Sequence, residues 1–150
     1  MKILLLLSLL FVSACTTQVA RKTPAATVKA LNDLNIVAEK GANKNTTTSL
    51  DIVMIYDPSV TGTLPRTATD WFARKYQLIN DIAGRVEIVS LQIPPGTSVP
   101  VPLPARIVNA SAVYAYVNYP SKPNQPATNL TLYQKATIYL KPEAVALSKN

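Results

Sequence analysis

Residues 49–56 read Ser-Leu-Asp-Ile-Val-Met-Ile-Tyr, and the alternation in this octapeptide sets the fold. In an extended chain Leu50, Ile52, Met54 and Tyr56 share one face and Asp51, Val53 and Ile55 the other, because successive side chains point to opposite sides. Both faces are apolar apart from Asp51, as expected of a central strand covered on both sides. Asp57-Pro58 ends it, since Pro has no donor for a ladder. Further along, Ser111–Tyr119 (SAVYAYVNY) repeats the pattern, with Val113, Ala115, Val117 and Tyr119 opposite Tyr114, Tyr116 and Asn118. The tyrosines read as sheet-face packing rather than an exposed aromatic patch.

Weaker strand signals fill the remainder. Thr27–Leu31 reads as a first strand ending in the turn residues Asn32-Asp33-Leu34-Asn35, and Ile36–Thr48 as a long exposed loop. Val86–Ile93 has strand composition, and Pro94-Pro95-Gly96-Thr97 suits a type II turn. That turn predicts a hairpin whose second arm, Ser98–Leu103, is confined to a sheet edge by Pro100 and Pro102. Asn129–Leu140 reads as one bent strand or two short ones. Only Thr69–Ala83 changes period: Phe72, Tyr76, Ile79 and Ala83 fall at i, i+4, i+7 and i+11, the stripe of an amphipathic helix. Thr69 or Asp70 is expected to cap its start and Gly84 its end. Six or seven strands, one inserted helix and no βαβ alternation predict a mainly β chain, a two-sheet sandwich forming one domain over 27–150.

Composition narrows the chemistry. The 150 residues include no His and one Cys, which excludes Ser/His/Asp and Cys/His triads, His-ligated zinc and an internal disulfide. The nearest carboxylate pairs in sequence, Asp51 with Asp57 and Asp70 with Asp81, depend on the fold to meet, and nothing marks a general base. The expected function is therefore non-catalytic, with no metal and no other cofactor. The net charge of +7 is spread along the chain without the aromatic-basic platform of RNA-binding folds, so nucleic acid is not an expected partner. Anionic lipid, peptidoglycan or an acidic protein surface fits better, with salt-sensitive association.

The amino terminus supplies the cellular address. Met1-Lys2 precedes Ile3–Val12, where only Ser8 is not apolar. The run falls short of the roughly 20 residues a spanning helix needs, and reads as a secretory signal peptide. Val12-Ser13-Ala14-Cys15 resembles the bacterial lipobox, which implies removal of residues 1–14 and acylation of Cys15, on its thiol and its new amine, with palmitate-type chains. The lone cysteine is then an anchor, because several acyl chains hold a protein stably to a bilayer. Thr16–Ala26 is a polar tether, within residues 15–26, that spans at most about 40 Å. By resemblance to the general sorting pattern, Thr16 in place of Asp after the Cys implies the inner leaflet of the outer membrane, facing the periplasm.

Lipobox, tether, sandwich and inserted helix, in that order, resemble the small outer-membrane lipoproteins of type VI secretion systems, the TssJ (VasD-like) family. Leu31-Asn32-Asp33-Leu34-Asn35, SLDIVMIYDP, the helical TDWFARKYQLI beginning at Thr69, IPPGTSVPVPL and AVYAYVNYP each resemble a family segment, together covering Thr27–Pro120. Two features depart: Ile36 follows Asn35 where the family has Pro, and the single Trp is Trp71 rather than part of a late Trp-Arg pair. The resemblance implies a transthyretin-like sandwich without catalysis, binding the periplasmic domain of the inner-membrane protein TssM and, through it, the TssL/TssM complex. It also implies that the loop between the first two strands is a main contact, here Ile36–Thr48, with Lys40, Asn43, Lys44 and Asn45 as partner-binding residues. Two other classes are kept beside it, an adaptor or pilotin of another envelope secretion or pilus system, and a lipid-anchored glycan-binding module.

Overall fold

The computed structural model describes residues 30–120 and 122–149. The expected signal peptide, Cys15, the tether and residues 27–29 lie outside the described residues.

Among the described residues the order is β1 (Asp33–Ala38), α1 (Ala42–Asn45), β2 (Thr48–Ile55), a 3-10 turn (Pro58–Thr63), α2 (Ala68–Asp81), β3 (Val86–Ile93), β4 (Ser98–Pro100), a second 3-10 turn (Ala105–Asn109), β5 (Ala112–Val117), β6 (Thr128–Asn129), β7 (Lys135–Leu140) and β8 (Val145–Lys149). They form two four-stranded sheets, β4-β1-β7-β8 and β3-β2-β5-β6. β2 is central, as its two apolar faces require. Leu50, Ile52 and Met54 point between the sheets with Val113, Ala115 and Val117 of β5, against Leu34, Ile36 and Ala38 of β1 and Ala136, Ile138 and Leu140 of β7. Each large aliphatic side chain buried here contributes about 1.5–3 kcal/mol.

The opposite face of β2 has its own cover. Val53 and Ile55 pack with Ala68, Trp71 and Ile82 of the α2 segment and with Val60 and Leu64 of the preceding turn. A three-layer arrangement results locally: helix, sheet, sheet. The two-sheet sandwich with an inserted helix is therefore the fold, and four local expectations are corrected.

Among the described residues the first strand is Asp33–Ala38, so Ile36–Ala38, expected at the start of an exposed loop, are strand with Ile36 and Ala38 buried, and the Asn32–Asn35 stretch is not a turn. Its Asn and Asp residues are tolerated because Asp33 and Asn35 fall on the outer face while Leu34 and Ile36 fill the core. β1 pairs in parallel with β7, Leu34 opposite Ala136 and Ile36 opposite Ile138, a long-range pairing that local sequence does not signal. The Pro94–Thr97 turn, with Gly96 at φ +74°, is not a hairpin: β4 crosses to the other sheet and pairs with β1, Ile36 opposite Val99. Its edge position is as the prolines require. α2 is capped by Thr67, whose hydroxyl accepts from the Asp70 N–H at 3.2 Å and donates to the Asp70 carboxylate at 2.7 Å. Its buried stripe runs through Ala68, Trp71 and Leu78 to Ile82 just beyond its end, one residue out of phase with the expected one, leaving Tyr76 exposed. Asn129–Leu140 takes the second of its two expected forms, two short strands, β6 and β7, while β8 brings the strands among the described residues to eight, above the expected six or seven.

Candidate functional site

One end of the sandwich gathers four loops: 39–47 between β1 and β2, 94–97 between β3 and β4, 118–120 with 122 after β5, and 141–144 between β7 and β8. Hydrogen bonds tie them together. The Ala38 N–H donates to the Thr97 carbonyl at 2.8 Å, the Glu39 N–H to the Leu140 carbonyl at 2.9 Å, and the Gly96 N–H to the Glu39 carbonyl at 3.2 Å. Gly41, at φ +82°, begins the 39–47 turn; a β-carbon there would sit 3.7 Å from Pro142.

Within that turn Asn43, Lys44 and Asn45 have φ of 50°, 55° and 62°, so α1 is a left-handed turn rather than a regular helix. Left-handed backbone costs roughly 1–2 kcal/mol for each residue with a β-carbon, and three in succession need an external hold. Tyr119 supplies it. Its ring is 2% exposed, and its hydroxyl accepts from the Asn43 N–H at 3.0 Å while donating to the Lys141 carbonyl. The turn closes on itself through Thr46, whose hydroxyl and N–H both donate to the Asn43 carbonyl, at 2.6 and 3.1 Å. Burial pushes the Tyr119 hydroxyl above its ordinary pKa, against a smaller lowering by the Asn43 N–H, so it stays protonated at neutral pH.

Of the residues expected to meet a partner, Lys40, Lys44 and Asn45 are exposed together on this tip. Asn43 is not: at 4% exposure it works inside the turn, because the left-handed backbone directs its amide at Tyr119. Lys122 and Lys141 join the exposed surface from the other two loops, with Glu39 and Glu143 as the acidic residues. Among the described residues the ion pairs are Lys75–Asp51, Arg106–Glu87 and Lys135–Asp33, so the four tip lysines keep unneutralised charge. Sequence inspection misses Lys122 and Lys141 because they lie far along the chain. It misses the clamp because Tyr119 alternates with Val113, Ala115 and Val117 and reads as core.

The carboxylates do other work. Asp51, 2% exposed, accepts from the Trp71 Nε1–H at 2.8 Å and from the Lys75 ammonium at 2.9 Å. Asp57 caps the first 3-10 turn through the Ser59 N–H, hydrogen bonding that holds its carboxyl below the usual range. A cavity of about 310 Å³ on the outer face of the β5 sheet is lined by Leu64, Arg66, Tyr114 and Tyr116 among others, with no carboxylate in the lining. Among the described residues there is no group of three or more metal-ligating side chains, and no helix is long and apolar enough to cross a membrane.

The described residues form a sandwich of two four-stranded sheets with a helix laid on one outer face. This chain has the fold of the TssJ-type lipoproteins of type VI secretion. It is similar to TssJ1 from Pseudomonas aeruginosa, a T6SS lipoprotein, with TM-score 0.59 and 12% identity over 79% of this chain and 94% of that one. It is also similar to Serratia marcescens Lip, a membrane-bound component of the type VI secretion system, with TM-score 0.54 and 10% identity over 82% and 99%. A third similar chain belongs to a structure of the TssM C-terminal domain (869–1107) from EAEC, with TM-score 0.55 and 16% identity over 82% and 100%. No family model and no curated protein matches the sequence.

Proposed function

We propose that this chain is a TssJ-family lipoprotein. It is anchored through acylated Cys15 to the periplasmic leaflet of the outer membrane, and is a non-catalytic part of the type VI secretion membrane complex. The observation that carries this reading is the fold likeness to two type VI secretion lipoproteins, which extends over 94% and 99% of their chains. The lipobox-like Val12–Cys15 stretch agrees with it, and no cofactor beyond the covalent lipid is needed. The partner is the periplasmic part of TssM, met by the lysine tip; a chain of this fold is present in a structure named for that TssM domain.

The polarity of the domain supports this arrangement. The anchored segment enters β1 at Asp33, whereas the tip follows its other end at Ala38, about 16 Å along the strand. Attachment at the opposite end of β1, through a tether of up to about 40 Å, leaves the tip free to face a partner away from the bilayer. Cationic side chains without intramolecular partners raise the association rate with an acidic surface, an effect that salt screens.

The test is calorimetric titration of the detergent-solubilised full-length protein with the TssM periplasmic domain of the same bacterium, at low and high salt. Binding that weakens with salt is expected; absence of binding at both salts overturns the reading. Cys15→Ser tests the anchor separately. The variant is expected to fold but leave the membrane fraction, and continued fractionation with outer membranes would refute lipid anchoring.

A further inference from the structure

We infer that Tyr119 is a positioning residue for partner binding: its hydroxyl holds the left-handed 43–45 turn in the shape that presents Lys40 and Lys44 to an acidic partner surface. This rests on the tip being the TssM-binding surface. Tyr119 follows β5 and sits in the sandwich core, 76 residues along the chain from the amide it receives. Among the described residues no other side chain accepts from the Asn43 N–H, which would otherwise be a buried donor without a partner there. The same hydroxyl donates to the carbonyl of Lys141, so one oxygen links the β1–β2 loop, the end of β5 and the β7–β8 loop. Three successive residues with positive φ are a conformation that an unrestrained loop of Asn and Lys visits only briefly. Holding it in advance spares the partner the cost of ordering it.

Apparent affinity scales with the fraction of molecules already in the binding-competent shape. Removing the hydroxyl lowers that fraction and should act mainly on the association rate. Tyr119→Phe deletes one oxygen and keeps the ring in the core. Tyr116→Phe is the matched control: it deletes the hydroxyl of another buried tyrosine, whose partner is the Pro65 carbonyl on the far face of the sheet.

The experiment measures binding kinetics of the detergent-solubilised full-length protein and its two variants to the immobilised TssM periplasmic domain, with amide hydrogen exchange of residues 42–47 in each. Tyr119→Phe should weaken binding about tenfold, chiefly through slower association, and speed exchange at 42–47. Tyr116→Phe should change neither, although both variants lose some thermal stability. Tyr119→Phe that binds as the wild type does, or leaves exchange at 42–47 unchanged, overturns the positioning role. Equal weakening in both variants overturns it too, since general destabilisation would then explain the loss. Failure of the wild type to bind overturns the functional reading itself, a result distinct from wild-type binding that survives loss of the hydroxyl.

Discussion

Tyr116 and Tyr119 stand three residues apart, both at most 2% exposed, yet they serve opposite ends of the molecule's purpose. Tyr116 faces the helix layer, stacked on Trp71 with ring centroids 4.7 Å apart, its hydroxyl donating to the Pro65 carbonyl at 2.8 Å. Tyr119 faces the sandwich core and its hydroxyl reaches the tip. The surroundings differ accordingly. Beneath α2 the buried charge of Asp51 is met by Lys75 and Trp71, so that region is satisfied internally and has only a structural task. At the tip three successive residues have positive φ, and the lysines have no ion pair among the described residues. Held strain and unpaired charge together are the features on which the proposed binding surface rests.

The comparison breaks most visibly at Asp51. Replacing it with Leu strands the Lys75 ammonium and the Trp71 N–H at a nearly closed interface, a loss of about 3–5 kcal/mol expected in urea unfolding. The double variant Asp51→Leu/Lys75→Met should recover part of that loss, because a well-packed apolar pair can replace a buried ion pair while the Trp71 N–H stays without its acceptor. If the double variant is no more stable than the single one, the pair is not what holds α2 to the sheet.

Gly41→Ala should cost about 1–2 kcal/mol in thermal unfolding. The added β-carbon meets Pro142 only at an ordinary 3.7 Å, so the penalty is conformational, from φ +82°. A neutral result would mean that the turn relaxes freely, which also weakens the case for a pre-shaped tip.

Alkaline pH sharpens the contrast in another way. Burial, with the hydrogen bond to Glu87 second, pushes the Tyr56 phenol up to about 12, and burial raises Tyr116 and Tyr119 as well. Each phenol holds its proton more tightly in the folded chain than in the unfolded one. The stabilisation is therefore complete below the ordinary pKa of about 10, and is lost as pH rises from there through about 12 for Tyr56, where the unfolded chain binds fewer protons. Unfolding free energies should fall across that window, with a shallower slope in Tyr56→Phe. An identical slope would show that Tyr56 titrates alike in both states.

The smallest stability effect belongs to the tip lysines. Lys40→Glu with Lys44→Glu should move the unfolding free energy by no more than about 0.5 kcal/mol, since neither has an ion pair among the described residues. The same change should weaken TssM binding and reduce its salt dependence, with Lys122 and Lys141 still in place. Intact binding would shift the contact away from this loop.

How much was legible follows from where each signal resides. The strand character of Ser49–Tyr56 and Ser111–Tyr119 is written in their period-two alternation, and their central placement in having two apolar faces. The helix was legible in type but not in phase: Lys75 occupies a place on the buried stripe that a hydrophobe would normally take, because Asp51, 24 residues earlier, neutralises it there. The candidate loop was found by position and resemblance, with Lys40, Lys44 and Asn45 exposed as expected and Asn43 turned inward. What escaped is pairing across distance, since β1 with β7 and β4 with β1 join segments whose local composition names no partner.

The sequence by itself determined the mainly β class, the two-faced central strand, the sheet-edge place of the proline-rich arm, and the absence of His and of Cys pairs that removes most catalytic and metal chemistry. Local periodicity and composition act over a few residues and are readable there. Only the tertiary structure decided which strands pair, which way the helix turns its Lys75, and that Tyr119 props a left-handed turn beneath a cluster of lysines from separate loops. Those depend on contacts between residues tens of positions apart, which no stretch of chain contains alone.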